Sequence, residues 1–95
     1  MISRKRLKKF WEDHPDVRQP LQAWYDDVKR AVWKSPADIR AVYRNVSFVG
    51  NDRVVFNIKG NSYPLVVAIR YEHNIAFIRF IGSHGEYDRI DAATV

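Results

Sequence analysis

Near Val46 the spacing of apolar residues changes from that of a helix to that of a strand, and this switch constrains the fold more than any single motif does. Before it, Leu7, Phe10 and Trp11 mark one short helical face, and Leu21, Trp24, Tyr25, Val28, Ala31 and Val32 mark a longer one. The break at His14-Pro15 separates them; Asp16 with Gln19 reads as a capping box, and Pro20 falls within the first helical turn. Ser35-Pro36-Ala37-Asp38 is a further start signal, with Ser35 as N-cap, ahead of Ile39, Val42 and Tyr43. After the switch, residues 47–49, 53–58, 63–71 and 75–81 are β-rich runs divided by Gly50-Asn-Asp, Gly60-Asn-Ser and Glu72-His-Asn. Short turns between consecutive strands predict an antiparallel meander. The expected class is therefore α+β: N-terminal helices packed on a curled antiparallel sheet.

The strands also predict which faces are covered. Val54, Phe56 and Ile58 alternate with Arg53, Asn57 and Lys59, so one face should meet the helices while the other stays polar. The next two runs are apolar almost throughout, which predicts central strands covered on both sides. Arg70 and Arg79 interrupt them, and a guanidinium so placed must reach a carboxylate or line a solvated groove.

A chain of 95 residues is expected to form a single domain over residues 1–95, with no second lobe. Its 46% hydrophobic and 14% aromatic content is enough for a core and argues against disorder. Without cysteine there is neither a disulfide framework nor a thiolate zinc site. The basic N-terminus is followed by no apolar signal segment, and no run is long enough to span a bilayer, so the expectation is a cytoplasmic protein with no membrane partner. Sixteen Lys and Arg against 11 Asp and Glu leave a formal charge of +5, which favours polyanions or acidic partners without conferring specificity.

Residues 83–88 end the last strand in a dense group of titratable side chains: His84, Glu86, Tyr87 and Asp88 follow Gly82, with Arg79 and Arg89 on either side. This is acid, base and cation in one place, a composition suited to chemistry on an anion. Other site types fit poorly. The three histidines are scattered, His14 and His73 have no evident role, and no metal-ligand spacing is present. Ser83 and His84 are sequence neighbours without nucleophile-elbow glycines, which argues against a serine hydrolase. No helix-turn-helix is evident, so direct DNA regulation is poorly supported.

Two blocks carry a family resemblance. Val55-Phe-Asn-Ile-Lys-Gly-Asn61, with Tyr63 and Leu65, is followed by Phe77-Ile-Arg-Phe-Ile-Gly-Ser-His-Gly-Glu-Tyr-Asp88; Trp33, residues 35–38 and Tyr43 agree more loosely. Together they resemble the HigB toxins of bacterial toxin-antitoxin systems, within the RelE superfamily of messenger-RNA interferases. The resemblance implies a RelE-like fold with a basic sheet face, cleavage of mRNA on the translating ribosome, and no metal or organic cofactor. It also implies a HigA-type helix-turn-helix antitoxin, through which alone operator DNA would be met.

Cleaving RNA without a metal requires a base for the 2′-hydroxyl, an acid for the leaving oxygen and fixed cations for the phosphate. His84, Tyr87, Asp88 and Arg79 are the catalytic candidates; His84 suits either proton-transfer role, and Asp88 or Glu86 is placed to orient it. Lys59, Asn57, Asn61, Arg70 and Arg53 are the candidate RNA contacts. Ser83 stands where the family has Thr, which keeps the hydroxyl. Pro64 stands where the family usually has Arg, deleting a cation and a strand donor. That departure motivates an alternative reading, a catalytically weakened or noncatalytic module that grips RNA or antitoxin.

Overall fold

The computed structural model describes residues 4–60 and 62–95, so Asn61 lies outside the described residues. Helix α1 (Lys5–Asp13) leads through a 3-10 turn (Pro15–Val17) into α2 (Arg18–Arg30) and α3 (Pro36–Val42). Strands β1 (Ser47–Val49), β2 (Arg53–Ile58), β3 (Tyr63–Arg70) and β4 (Ile75–Ile81) follow, then a one-turn helix α4 (His84–Tyr87). The four strands pair antiparallel in chain order, the meander expected from the short turns. The β1–β2 turn sets Asn51 and Asp52 at φ of 59° and 60°, with the Arg53 N–H donating to the Gly50 carbonyl at 3.3 Å. Such a turn matches the twist of the two strands it joins.

The helices cover one face of the sheet. Leu7, Trp11, Leu21, Trp24, Val28 and Ile39 pack on Val54, Phe56, Ile58, Leu65, Val67 and Ile69 in one buried cluster. Phe56 is at its centre, edge to face with Trp24 at 5.1 Å and with Tyr43 at 5.2 Å, and stacked on Trp33 at 6.1 Å. The opposite, outer face carries a smaller cluster: Val55, Val66 and Ala92 are buried, with Val49, Phe80, Tyr87, Ile90 and Val95 packed around them. The outer face of β2 is thus not wholly polar, because the segment after α4 folds back across the sheet and covers Val55.

The local expectations need three more corrections. Strand β4 is an edge strand rather than a central one; its apolar residues are explained by the helices on one side and by Tyr87 on Phe80 on the other. Helix α1 guards that edge, with Arg6 Nη1 donating to the Ile78 carbonyl at 3.0 Å. Asp16 forms no capping box, because its carboxylate is engaged by Lys59 at 2.8 Å and by the Tyr63 hydroxyl at 3.1 Å. Ser35 holds the N-cap position of α3 without a side-chain bond; Asp38 instead accepts the Lys34 N–H at 2.9 Å.

Pro64 is fully buried in central strand β3, opposite Asn57 of β2. The Ile69 N–H donates to the Asp52 carbonyl on the β2 side, and donors alternate along an antiparallel strand, so the Pro64 nitrogen faces away from β2. On the other side the β4 ladder ends where Ile81 meets Leu65. The position needs no donor, which is why a proline fits there.

Candidate functional site

One irregularity in β4 shapes the outer face. Ile78 pairs with Val67 and Phe80 with Val66, leaving Arg79 as the extra residue of a β-bulge. A bulge sets two consecutive residues against one on the partner strand and re-aims their side chains. Phe80 thereby joins the outer apolar cluster, while Arg79 lines a groove of about 550 Å³ beside it. Arg53 and Arg70 line the same groove, with Phe77, Ala68 and Asp52. Arg53, Ala68 and Phe77 form one row across β2, β3 and β4, so the lone methyl of Ala68 lies between a guanidinium and a phenyl ring.

The arginines are held differently. Arg53 donates through Nη1 to the Asn51 carbonyl at 3.0 Å and through Nη2 to the Val95 main-chain oxygen at 2.9 Å. Arg79 Nε donates to the same Val95 oxygen at 3.1 Å, and Asn51 Nδ2 ties the neighbouring Ala93 carbonyl at 2.8 Å. Two cations therefore converge on one oxygen of the returning segment. Arg70 is exposed at the end of β3, and its guanidinium bonds no other described residue. With three arginines and one aspartate along its wall, the groove is a positive surface suited to phosphate.

The predicted proton-transfer cluster stands at the other end of β4. Gly82 is buried, and an added Cβ would sit 2.9 Å from Phe80 Cζ and 3.1 Å from Glu86 Oε1, so the ring and the carboxylate would have to shift to admit it. Ser83 caps α4 in a reciprocal capping box, its N–H donating to Glu86 Oε1 at 3.0 Å while Glu86 N–H donates to Ser83 Oγ at 3.2 Å. The Ser83 backbone N–H, followed by its hydroxyl, holds the Glu86 carboxyl below its usual range. Glu86 is thus a capping residue and leaves Asp88 as the candidate to orient His84. His84 and Asp88 are exposed, whereas Tyr87 is half-buried with its ring 6.2 Å from that of Phe80. Phe80, which follows Arg79 in the bulge, packs on Tyr87 and so links α4 to the strand that carries Arg79.

Two candidate RNA contacts are committed elsewhere. Lys59, at φ 54°, meets Asp16 on the helix side of the sheet, where the ion pair raises the Lys59 pKa and lowers that of Asp16. Asn57 Nδ2 donates to the Asn45 carbonyl at 2.9 Å and braces the entry to β1. His14, unassigned in sequence, stacks on Phe10 at 4.3 Å and contributes to lowering the Glu86 pKa, so the junction of α1 and α2 lies close to α4. Phe77 and the returning segment 91–95 carried no strong sequence signal. Phe77 sits in an apolar strand where exposure is invisible, and the segment's weight comes from distant partners.

Comparison with known proteins adds two findings. Residues 17–90 match the family model of the HigB toxin, described as the RelE-like toxic component of a toxin-antitoxin system. The mRNA interferase toxin HigB of Escherichia coli K12 is 30% identical over 90 residues, 93% of this chain and 86% of that protein. The mRNA interferase HigB of Shigella flexneri aligns with the same identity and coverage, and that of Escherichia coli O6:H1 is 22% identical over 92 residues, 95% of this chain and 89% of that protein.

Proposed function

Because the chain belongs to the HigB family of RelE-like toxins, we propose that it is an endoribonuclease that cleaves mRNA during translation, acting as one domain over its whole length. As a member of a toxin-antitoxin family it has an antitoxin partner; the reading extends this to a HigA-type helix-turn-helix protein, with operator DNA met only through it. The observation that carries the proposal is the arginine groove on the outer face of the sheet, joined to α4 along β4 through Arg79, Phe80 and Tyr87. An RNA strand running along β4 would meet cations at the groove and titratable side chains at α4, the groups that acid-base cleavage requires.

In this reading Arg79 and Arg70 hold the RNA backbone, and Arg53 fixes the groove wall through its bonds to Asn51 and Val95. His84 takes or delivers a proton, with Asp88 to orient it. Tyr87 supplies the second proton-transfer group or holds a phosphate oxygen. The relatives named as mRNA interferases support cleavage over mere binding. The buried, donor-free setting of Pro64 also removes the strand-breaking argument for the noncatalytic alternative.

The test is induced expression with transcript mapping. Growth arrest with cuts inside translated regions, lost when initiation on the reporter is blocked, is the expected result. Arrest with intact transcripts would overturn it.

A further inference from the structure

Phe77 is the one aromatic among the large hydrophobic side chains that stand exposed in the described residues, at 47% of its possible surface. A phenyl ring left in water is costly, and this one is not on a random patch: it lines the groove shared by Arg53, Arg70 and Arg79. Its cross-strand partner is Ala68, the smallest side chain on that row, and beyond Ala68 stands Arg53. The ring therefore borders a notch with a methyl floor and has guanidinium groups around it. From this arrangement we propose that Phe77 is a nucleobase-stacking residue, the platform that positions one unpaired base of the RNA beside the phosphate-binding arginines. The proposal rests on the endoribonuclease reading for the identity of its ligand and deepens it by naming where a base is held.

The chemistry favours a base over other occupants. Stacking on an aromatic face is available to every base and needs no hydrogen-bond readout, while the surrounding guanidiniums satisfy the phosphates on either side and can cover the base from above. An acidic peptide would use the same cations but would have no use for a flat ring above a methyl floor. Arg70, exposed and with its guanidinium unbonded to any other described residue, is the cation best placed to follow the strand past Phe77. Phe77 thus sets register: it decides which phosphate comes to rest at Arg79.

The test measures binding and is independent of cutting. A fluorescent single-stranded oligoribonucleotide is titrated with the purified chain at low salt, alongside the same oligomer carrying abasic riboses. Phe77→Ala is expected to weaken binding to the intact oligomer about tenfold, with Phe77→Tyr close to the unaltered protein and little loss on the abasic oligomer. Arg70→Ala should weaken both oligomers and flatten the salt dependence, a change Phe77→Ala should not produce. Equal binding by Phe77→Ala and the unaltered chain, an equal loss on both oligomers, or no binding by the unaltered chain would each overturn the proposal. So would a Phe77→Ala variant that keeps RNA but loses the antitoxin, which would assign the ring to a protein interface. If base-dependent binding is found and transcripts stay uncut in cells, the stacking role stands and the endoribonuclease reading falls.

Discussion

At the scale of single residues, His84 and Pro64 are where the proposed chemistry and the scaffold can be told apart by substitution. His84 is exposed at the start of α4, so His84→Ala should leave the protein folded, and any loss of cleavage can be read apart from loss of fold. General acid-base catalysis is worth roughly 10²- to 10⁴-fold, and transcript cleavage by this variant should fall within that range; wild-type cleavage would remove His84 from the mechanism. Pro64 behaves oppositely. Its nitrogen faces no β2 acceptor and its ring is buried, so restoring the family cation with Pro64→Arg should change toxicity little while lowering stability. A large gain of toxicity in that variant would show that this position does hold RNA. Tyr43 reports on the core instead. Burial, with Asp27 as the neighbouring charge, pushes its hydroxyl up to about 12. Between about pH 10, where an unfolded tyrosine releases its proton, and about 12, the folded chain retains a proton that the unfolded chain has lost. Its contribution is therefore complete below pH 10 and disappears as pH rises through 12. Denaturant midpoints across that range should decline, and Tyr43→Phe should make the decline shallower without abolishing it, because Tyr63 and Tyr71 are raised as well.

At the scale of elements, the connection between β4 and α4 is where packing and the site meet. Gly82→Ala drives a methyl into Phe80 and into the capping carboxylate of Glu86. Overpacking of this kind costs about 1 to 3 kcal/mol, and here it should also reduce cleavage, since both contacts position α4; an unaltered melting temperature would mean that the connection yields freely. The strands were legible in the sequence to within a residue, because alternation and Gly or Asn turns report local backbone directly. Helix starts were less so: Asp16 has the right type and spacing for a cap, but Lys59 and Tyr63, more than forty residues away, take its carboxylate. The bulge was not legible at all. Arg79 read as a lone interruption of an apolar run, and only the pairing of Phe80 with Val66 reveals that both residues serve the outer face.

For the whole molecule, the sequence correctly joined helices, meander and family, and it named all three arginines that line the groove. It could not say that they converge, because that depends on strand register, on the bulge and on a returning segment whose oxygens bind two of them. Lys59 and Asn57 carried the same promise in sequence and are bound to Asp16 and Asn45 instead. The small outer cluster of Val55, Val66 and Ala92 ties these levels together, since it fastens the returning segment over the sheet. In a cell short of antidote, survivors are selected for any lesion that silences the protein. Truncating Val55 or Val66 to Ala removes about 1 to 3 kcal/mol of packing, so escape lesions should collect there as well as at His84. The two groups will differ in abundance on a blot: the first depleted by turnover, the second present at full level and inert.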